Sequence, residues 1–424
     1  MAGPVPWHLL PDNSSVGSDG QLVIGGCDVI DLATEFGTPV FIYDEDHLRA
    51  RCREAYEAFG DSAVYASKAF LCKAMARLVA EEGLGIDVAS GGELAVCLAA
   101  GVDPAKLVFH GNNKSLNELR AGLDAGVGRI VVDSFDEMDR IEALVRDGAK
   151  APKVLLRITP GIKAETHEFI STGQDDSKFG FTVSTGIADA AVKRAMISDQ
   201  MDLVGLHAHI GSQVFRVDSF AAAIEVLGRF ANPFELPELV IGGGLGVAYV
   251  EGEEAATISQ WAQVVKKAVG DAGISARIGV EPGRAIAAAA AVTVYTLGTL
   301  KELPGIRTYA SVDGGMSDNP RPVLYGSGYE TFLPRAVTAS RSQKARVVGK
   351  HCESGDLLVR EGWLGDDVVV GDLVATPVTG AYGHSMGSNY NKVLRPPVVF
   401  CSKGDARLVV RRETPADLLA TDVG

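Results

Sequence analysis

Lys68 stands at the end of a short apolar run, in the string Tyr65-Ala66-Ser67-Lys68. A primary amine held away from bulk water can condense with an aldehyde, so this position could anchor a carbonyl cofactor. On its own, a lysine at a strand end more often just reaches solvent. Three other strings change its weight. His207-Ala208-His209-Ile210-Gly211-Ser212-Gln213, Gly242-Gly243-Gly244-Leu245-Gly246 and Glu281-Pro282-Gly283-Arg284 each follow a similar apolar run. Consecutive glycines let the backbone approach an anion without side-chain obstruction. With Gly283 and Arg284 they form a candidate phosphate cradle. It is not a dinucleotide fingerprint, because position 247 is Val where that pattern needs its last glycine. Glu281 could hydrogen-bond a pyridine nitrogen and keep it protonated, which turns the ring into an electron sink. The plainer reading of Glu281 is an ion pair with Arg284. His209 offers a flat ring to stack on a planar group, and His207 reads as a buried structural histidine. The two share a strand face, but no matching acidic or cysteine ligand set accompanies them, so no metal is expected.

For these strings to meet, the runs that carry them must lie side by side. From about residue 60 the chain repeats a short apolar run, a polar turn and a helical pattern. The runs are 63–66, 84–88, 107–110, 129–133, 153–158, 203–210, 238–241 and 276–281, and helical stretches follow at 92–100, 116–125 and 137–146. Eight such units predict an α/β fold, a TIM-like (β/α)8 barrel whose strand C-terminal ends carry the site. An open doubly wound sheet is the competing architecture. After about residue 290 the helical spacing fades. Segments 292–297, 344–348, 367–373 and 407–411 read as antiparallel strands, as do 22–24 and 40–43 near the start. The expected organisation is therefore 1–43 as N-terminal strands joining a β domain, 44–289 as a cofactor-binding barrel, and 290–424 as the rest of that C-terminal antiparallel β domain.

Composition narrows the class. The 424 residues are 46% hydrophobic and 22% charged, with a formal net charge of −14. That balance argues against nucleic-acid binding, which needs a basic footprint. Six cysteines, at 27, 52, 72, 97, 352 and 401, form no C-x-x-C pair and suit a reducing compartment. The longest small-apolar run, 285–294, is too short to span a bilayer. Pro4, Pro6 and Pro11 interrupt the start, which lacks a secretory pattern. A cytoplasmic protein without membrane contact is expected.

Taken together, the strings resemble one family. YASKAF at 65–70, HIGSQ at 209–213, GGGLG at 242–246 and EPGR at 281–284 are similar to those of the alanine-racemase-fold decarboxylases, pyridoxal-phosphate enzymes built from a barrel and a β domain. The resemblance runs from about residue 20 to about residue 395. Within the family, the branch acting on meso-diaminopimelate is nearest. Ser317-Asp318-Asn319-Pro320-Arg321-Pro322-Val323-Leu324-Tyr325 resembles its substrate loop. Cys352-Glu353-Ser354-Gly355-Asp356 resembles its proton-donor loop, and Gly380-Ala381-Tyr382-Gly383 its cofactor-covering loop. Thr166-His167-Glu168-Phe169 and Lys178-Phe179-Gly180 also match.

The resemblance implies a role for each matching residue. Lys68 would hold pyridoxal 5′-phosphate covalently, His209 would cover its ring, and Glu281 would hold its nitrogen. Ser212, Gly243, Gly244, Gly246, Pro282, Gly283 and Arg284 would surround its phosphate end. Tyr382 would touch cofactor and substrate. Arg284, Arg321 and Tyr325 would bind a distal substrate carboxylate, and Glu353 a distal ammonium. Cys352 would donate the proton that replaces carbon dioxide. The implied partners are an amino-acid substrate and a second copy of the chain, in a homodimer whose shared active site takes the Cys352–Glu353 loop from the other subunit. Arg321 favours diaminopimelate, giving lysine, over ornithine, and decarboxylases of arginine or carboxynorspermidine on the same scaffold stay open as alternatives. Without the resemblance, Arg321 reads as a surface arginine in a Pro-rich turn. A racemase and a catalytically silent homologue are the remaining alternatives. Retained Lys68 and Cys352 count against the silent homologue, and Arg321 and Cys352 against the racemase.

Overall fold

Val, Ile and Leu runs flanked by turns form strands when both faces of a sheet are covered. A computed structural model describes residues 2–161, 175–209 and 211–424. They divide into two units, one of Arg51–Gly246 with Ala255–Ala285, the other of Met1–Ala50 with Val247–Glu254 and Ile286–Gly424.

The first unit holds the runs. Its strands are Val64–Ala66, Gly85–Val88, Leu107–Phe109, Arg129–Val132, Lys153–Thr159, Asp202–His207, Glu238–Val240 and Arg277–Gly279. Each pairs in parallel with the next in sequence. A parallel bridge between Ala63 and Val280 joins the last to the first. The Val64 N–H donates to the Val280 carbonyl at 2.9 Å, and the Val280 N–H to the Ser62 carbonyl at 3.0 Å. That seam closes the barrel and rules out the open sheet. Val108, Val131, Leu155, Val204 and Val240 form one buried cluster with Val64 packed against it. Branched side chains contributed by several strands are how such barrels fill their interior. The sixth strand stops at His207, short of the expected 210.

The turns out of the strands share a local code. Ser90, Ser115 and Ser134 cap the helices Gly91–Ala100, Leu116–Ala125 and Phe135–Arg146, each accepting from the N–H of a glutamate three residues on. At Ser115 the Glu118 carboxylate returns the bond to the cap backbone, a complete capping box. Short capped turns of this kind leave little slack between a strand end and its helix.

Behind the turns after the third and fourth strands lies a buried ion pair. Lys114 is 2% exposed, and its Nζ lies 2.7 Å from Glu137 Oε1. The same ammonium donates to the Gly111 and Val131 carbonyls at 2.7 and 2.8 Å. Two carbonyls thus accept its protons and a carboxylate faces its charge, which is what makes a buried lysine tolerable.

The second unit draws on both chain ends. Its main sheet runs in the order Leu357–Leu364, Gln343–Val348, Arg307–Val312, Ala291–Leu303, Val40–Asp44, Val398–Ser402 and Asp405–Val410, with Leu373–Pro377 pairing off Ala291–Leu303. It is antiparallel apart from two parallel pairings, Arg307–Val312 with Gln343–Val348 and Val40–Asp44 with Val398–Ser402. Ser14–Val16, Leu22–Ile24 and Cys27–Asp28 make a separate three-stranded sheet. One expectation is corrected: the strand read over 367–373 begins only at Leu373. Asp367 and Asp372 bind Arg335 at 2.7 and 3.0 Å, and the Val369 N–H donates to Asp372. These bonds fold the apolar run into a turn, leaving Val369 and Val370 exposed.

Replacing Lys114 by Met strands the Glu137 carboxylate in the interior. A loss of about 3–5 kcal/mol is expected by urea unfolding. Adding Glu137→Leu to the same chain should recover part of it, since the uncompensated charge then disappears.

Candidate active site

In the barrel unit the polar side chains at the strand ends form one connected network. Glu281 follows the eighth strand and is 8% exposed. Its Oε2 lies 3.0 Å from Nε2 of His207, the last residue of the sixth strand, and its Oε1 lies 3.3 Å from Nε2 of His110, just past the third. His110 Nε2 also lies 3.1 Å from Oδ1 of Asp87, inside the second strand. The His110 and His207 rings meet edge to face with centroids 5.0 Å apart.

Burial alone would raise the Glu281 carboxyl, but His207 and His110, bonded to it, hold it well below the usual range. Burial likewise opposes a charge on His110, yet Asp87 and Glu281 push it up to about 9. Asp87 is raised to about 7 by burial and by the Glu281 charge. Burial lowers His207 to about 4, so at neutral pH its ring is uncharged. His207 Nδ1 is buried without a hydrogen-bond partner. A bare acceptor nitrogen is less costly there than an orphaned N–H, so the proton sits on Nε2 and is donated to Glu281. Glu281 is therefore an ionised carboxylate, fixed at both oxygens.

This geometry changes the metal question. The sequence paired His207 with His209 and found no acid, whereas the fold pairs His207 with His110 around Glu281. The three donor atoms lie within 4.8 Å of one another. If both histidine nitrogens donate to Glu281, they offer no lone pair to a cation.

Lys68 lies in the turn after the first strand and is exposed, a correction to the expected desolvated amine. Its positive charge acts on Asp87 and on His209. Burial lowers His209 well below its ordinary value, and the Lys68 and Arg157 charges lower it further. A neutral His209 fits its contact, because its Nδ1 accepts the Gly243 N–H at 3.3 Å. The Gly246 N–H is also engaged, by the Val214 carbonyl at 3.0 Å. These two glycines thus contribute space more than free donors. A Cβ on Gly243 would stand 2.1 Å from the Glu281 carbonyl oxygen, and one on Gly244, at φ +106°, 2.3 Å from that of Gly211. The turns after the sixth, seventh and eighth strands can pack together only because side chains are absent. Beside them Arg284 donates to Ser212 Oγ at 2.9 Å, and Pro282 and Gly283 are buried. A hydroxyl, a guanidinium and a side-chain-free backbone suit a phosphate, a neutral imidazole suits a flat ring, and a fixed anion suits a pyridinium. The residues present fit pyridoxal 5′-phosphate.

The other unit carries the remaining candidates. Arg321 is 4% exposed, against its reading as a surface arginine. Its guanidinium stacks over Tyr249 at 4.2 Å and Tyr329 at 5.4 Å, and it donates to the Tyr329 hydroxyl. Its Nε has no partner, and no carboxylate of the described residues forms an ion pair with it. Tyr325 sits half-buried one turn along the same short helix, Arg321–Tyr325. Tyr382 is half-buried with a left-handed backbone, φ +60°. Cys352 is exposed while the other five cysteines are buried. Its N–H donates to Asn391 Oδ1 at 3.0 Å, and the exposed Glu353 accepts from Gly355. Asp356 ties this loop to the Ser317 loop, accepting from the Met316 and His351 N–H groups at 2.7 and 2.9 Å.

Asp87, His110, Tyr249, Tyr329 and Asn391 were not singled out from the sequence. Asp87 did leave a signal, as an acid inside an apolar barrel strand. Of the remaining matched strings, Phe179 packs under the Arg157 guanidinium at 4.1 Å. Thr166-His167-Glu168-Phe169 lies outside the described residues.

Known proteins agree with this architecture. The pyridoxal binding domain of the pyridoxal-dependent decarboxylases matches residues 45–288. The diaminopimelate decarboxylase of Mycobacterium tuberculosis is 46% identical over 98% of both chains, and that of Bacillus subtilis 41% over 98% of both. A crystal structure of diaminopimelate decarboxylase from M. jannaschii in complex with L-lysine superposes with a TM-score of 0.89 at 32% identity, covering 97% of this chain and 98% of that one. The chain belongs to the pyridoxal-dependent decarboxylases. Within them it falls among the diaminopimelate decarboxylases.

His207 gives the site a pH signature. Above its ordinary value of 6.5 both folded and unfolded chains hold it neutral and it adds no pH dependence. As pH falls below that, the unfolded chain takes a proton that the folded one refuses until about 4, so stability drops. His207→Gln, which keeps an N–H for Glu281, removes this loss. Between pH 7 and pH 5 its urea stability should improve relative to wild type by about 1–2 kcal/mol. A constant difference across that range would contradict the neutral, buried assignment.

Proposed function

We propose that this chain decarboxylates meso-2,6-diaminopimelate to L-lysine and carbon dioxide, with pyridoxal 5′-phosphate as cofactor. One observation carries the choice of substrate: Arg321 is a buried guanidinium without a carboxylate partner among the described residues. Leaving such a charge uncompensated is costly, and a second carboxylate on the substrate would compensate it in bidentate fashion. Ornithine, arginine or lysine would present a cation to the same group. The relatives at 41–46% identity carry the matching name, and L-lysine is the ligand of the M. jannaschii complex.

When bound, the cofactor supplies an electron sink for the pair left as carbon dioxide departs. The chain's own residues do the rest. Lys68 would hold the cofactor covalently through its exposed amine. Glu281 would keep the pyridine nitrogen protonated, and neutral His209 would cover the ring. Ser212, Arg284 and the turns of Gly243, Gly244, Gly246, Pro282 and Gly283 hold the phosphate. Arg321 and Tyr325, with Arg284, take the distal carboxylate. Tyr382 contacts cofactor and substrate, and Glu353 meets the distal ammonium. The Cys352 thiol delivers a proton to the former α-carbon, which fits the exposure of this one cysteine. We infer a homodimer in which the Cys352–Glu353 loop of the partner subunit completes the site, a reading supported by the family resemblance. Six cysteines without a disulfide favour a reducing compartment, the cytoplasm. No helix of the described residues is long and apolar enough to cross a membrane.

Carbon dioxide release, followed with added pyridoxal phosphate, should be at least about 100-fold faster from meso-diaminopimelate than from ornithine, arginine or lysine. Comparable rates across that panel would reject the substrate assignment.

A further inference from the structure

Both Glu281 oxygens are already occupied by protein, and the two occupants differ. His207, 1% exposed, is a neutral donor at the end of a strand. His110 stands between two carboxylates, its Nε2 3.1 Å from Asp87 Oδ1 and 3.3 Å from Glu281 Oε1. A single ring nitrogen within reach of two carboxylate oxygens must carry a hydrogen, because a bare nitrogen would face two lone pairs. We propose that His110 is a positioning residue for this reaction: its Nε2–H, shared between Asp87 and Glu281, holds the Glu281 carboxylate ionised and aimed at the pyridine nitrogen. The proposal rests on the reading above that Glu281 meets that nitrogen.

The surroundings support it. Three strands converge on the imidazole: Asp87 from the second, His207 from the sixth and Glu281 from beyond the eighth. His207 meets it edge to face and brings no charge at neutral pH. Lys68 acts on Asp87 and Arg157 acts on Glu281 and His207, so two cations add their charge to the field at this acidic pair. Asp87 and Glu281 repel each other. With His110 between them, one N–H hydrogen-bonded to Asp87 and ion-paired to Glu281 offsets the repulsion, and Glu281 keeps its charge in a buried setting that would otherwise neutralise it. Without His110, the proton belonging on the pyridine nitrogen would be drawn to Glu281.

The test uses the full-length chain loaded with pyridoxal phosphate and two readouts besides turnover. These are the dissociation constant of the cofactor and the pH midpoint of its bound absorbance band. His110→Phe is expected to weaken cofactor binding about tenfold and to move the midpoint by about one unit. His110→Gln keeps one N–H donor and should recover most of the affinity. In a Glu281→Gln background, His110→Phe should change neither readout further, because its effect passes through Glu281. Should His110→Phe not fold, the midpoint of His110→Gln, which lacks the charge, carries the same comparison. The proposal is overturned if the His110 variants match wild type while Glu281→Gln shifts both readouts. It is also overturned if His110→Phe acts with full size in the Glu281→Gln background, which would mark a structural role. If Glu281→Gln itself moves neither readout, the pyridine reading fails first and takes the proposal with it.

Discussion

The seam between the first and eighth strands is the constraint on which the barrel site depends. Its hydrogen bonds join Val64 to Val280, Val280 to Ser62 and Ala66 to Pro282. They turn eight strands into a closed wall, and they set the Lys68 turn beside Glu281-Pro282-Gly283-Arg284. The approach is close enough that a Cβ on Gly283 would sit 2.8 Å from the Ala66 carbonyl oxygen. Residues more than 200 positions apart, an amine and an anion, thereby become neighbours along one rim. The glycine turn after the seventh strand is squeezed in the same way, against Glu281 on one side and Gly211 on the other.

Electrostatics then decides what that rim can do. Glu281, Asp87, His110 and His207 are all largely withdrawn from water, where an isolated charge is costly. Each is satisfied by another member, and the result is an anion whose protonation state does not follow bulk pH near neutrality. Lys68 stays exposed, which leaves the amine accessible to an aldehyde. The same economy appears in the other unit, where Arg321 is stacked between Tyr249 and Tyr329 with a guanidinium edge left over.

Much of this was legible in the sequence. The eight apolar runs map onto the eight strands to within three residues at either end, because strands buried on both faces are rich in Val, Ile and Leu. Lys68, Glu281 and the glycine triplet could be picked out because each follows a run, where strand ends become turns. Four features were not legible, each for a physical reason. Asp87 and His110 matter only because the second and third strands curve round to meet the eighth, and no local pattern records that closure. Arg321 looked like a surface residue because the tyrosine that covers it, Tyr249, comes from Val247–Glu254, a short excursion between barrel segments that packs with the other unit. The 367–373 run has strand-like residues, but two aspartates gripping Arg335 outweigh that local preference. The parallel pairing of Val40–Asp44 with Val398–Ser402 joins the two chain ends and has no local signature at all.

The central claim is that the amine on this seam is the one that holds the cofactor. Borohydride reduction of the chain loaded with pyridoxal phosphate, followed by peptide mapping, tests it most directly, because the hydride makes the amine–aldehyde linkage permanent. The predicted result is a single phosphopyridoxyl label on the peptide containing Lys68, lost in Lys68→Ala. A label on another lysine, or one that persists in Lys68→Ala, would contradict the account.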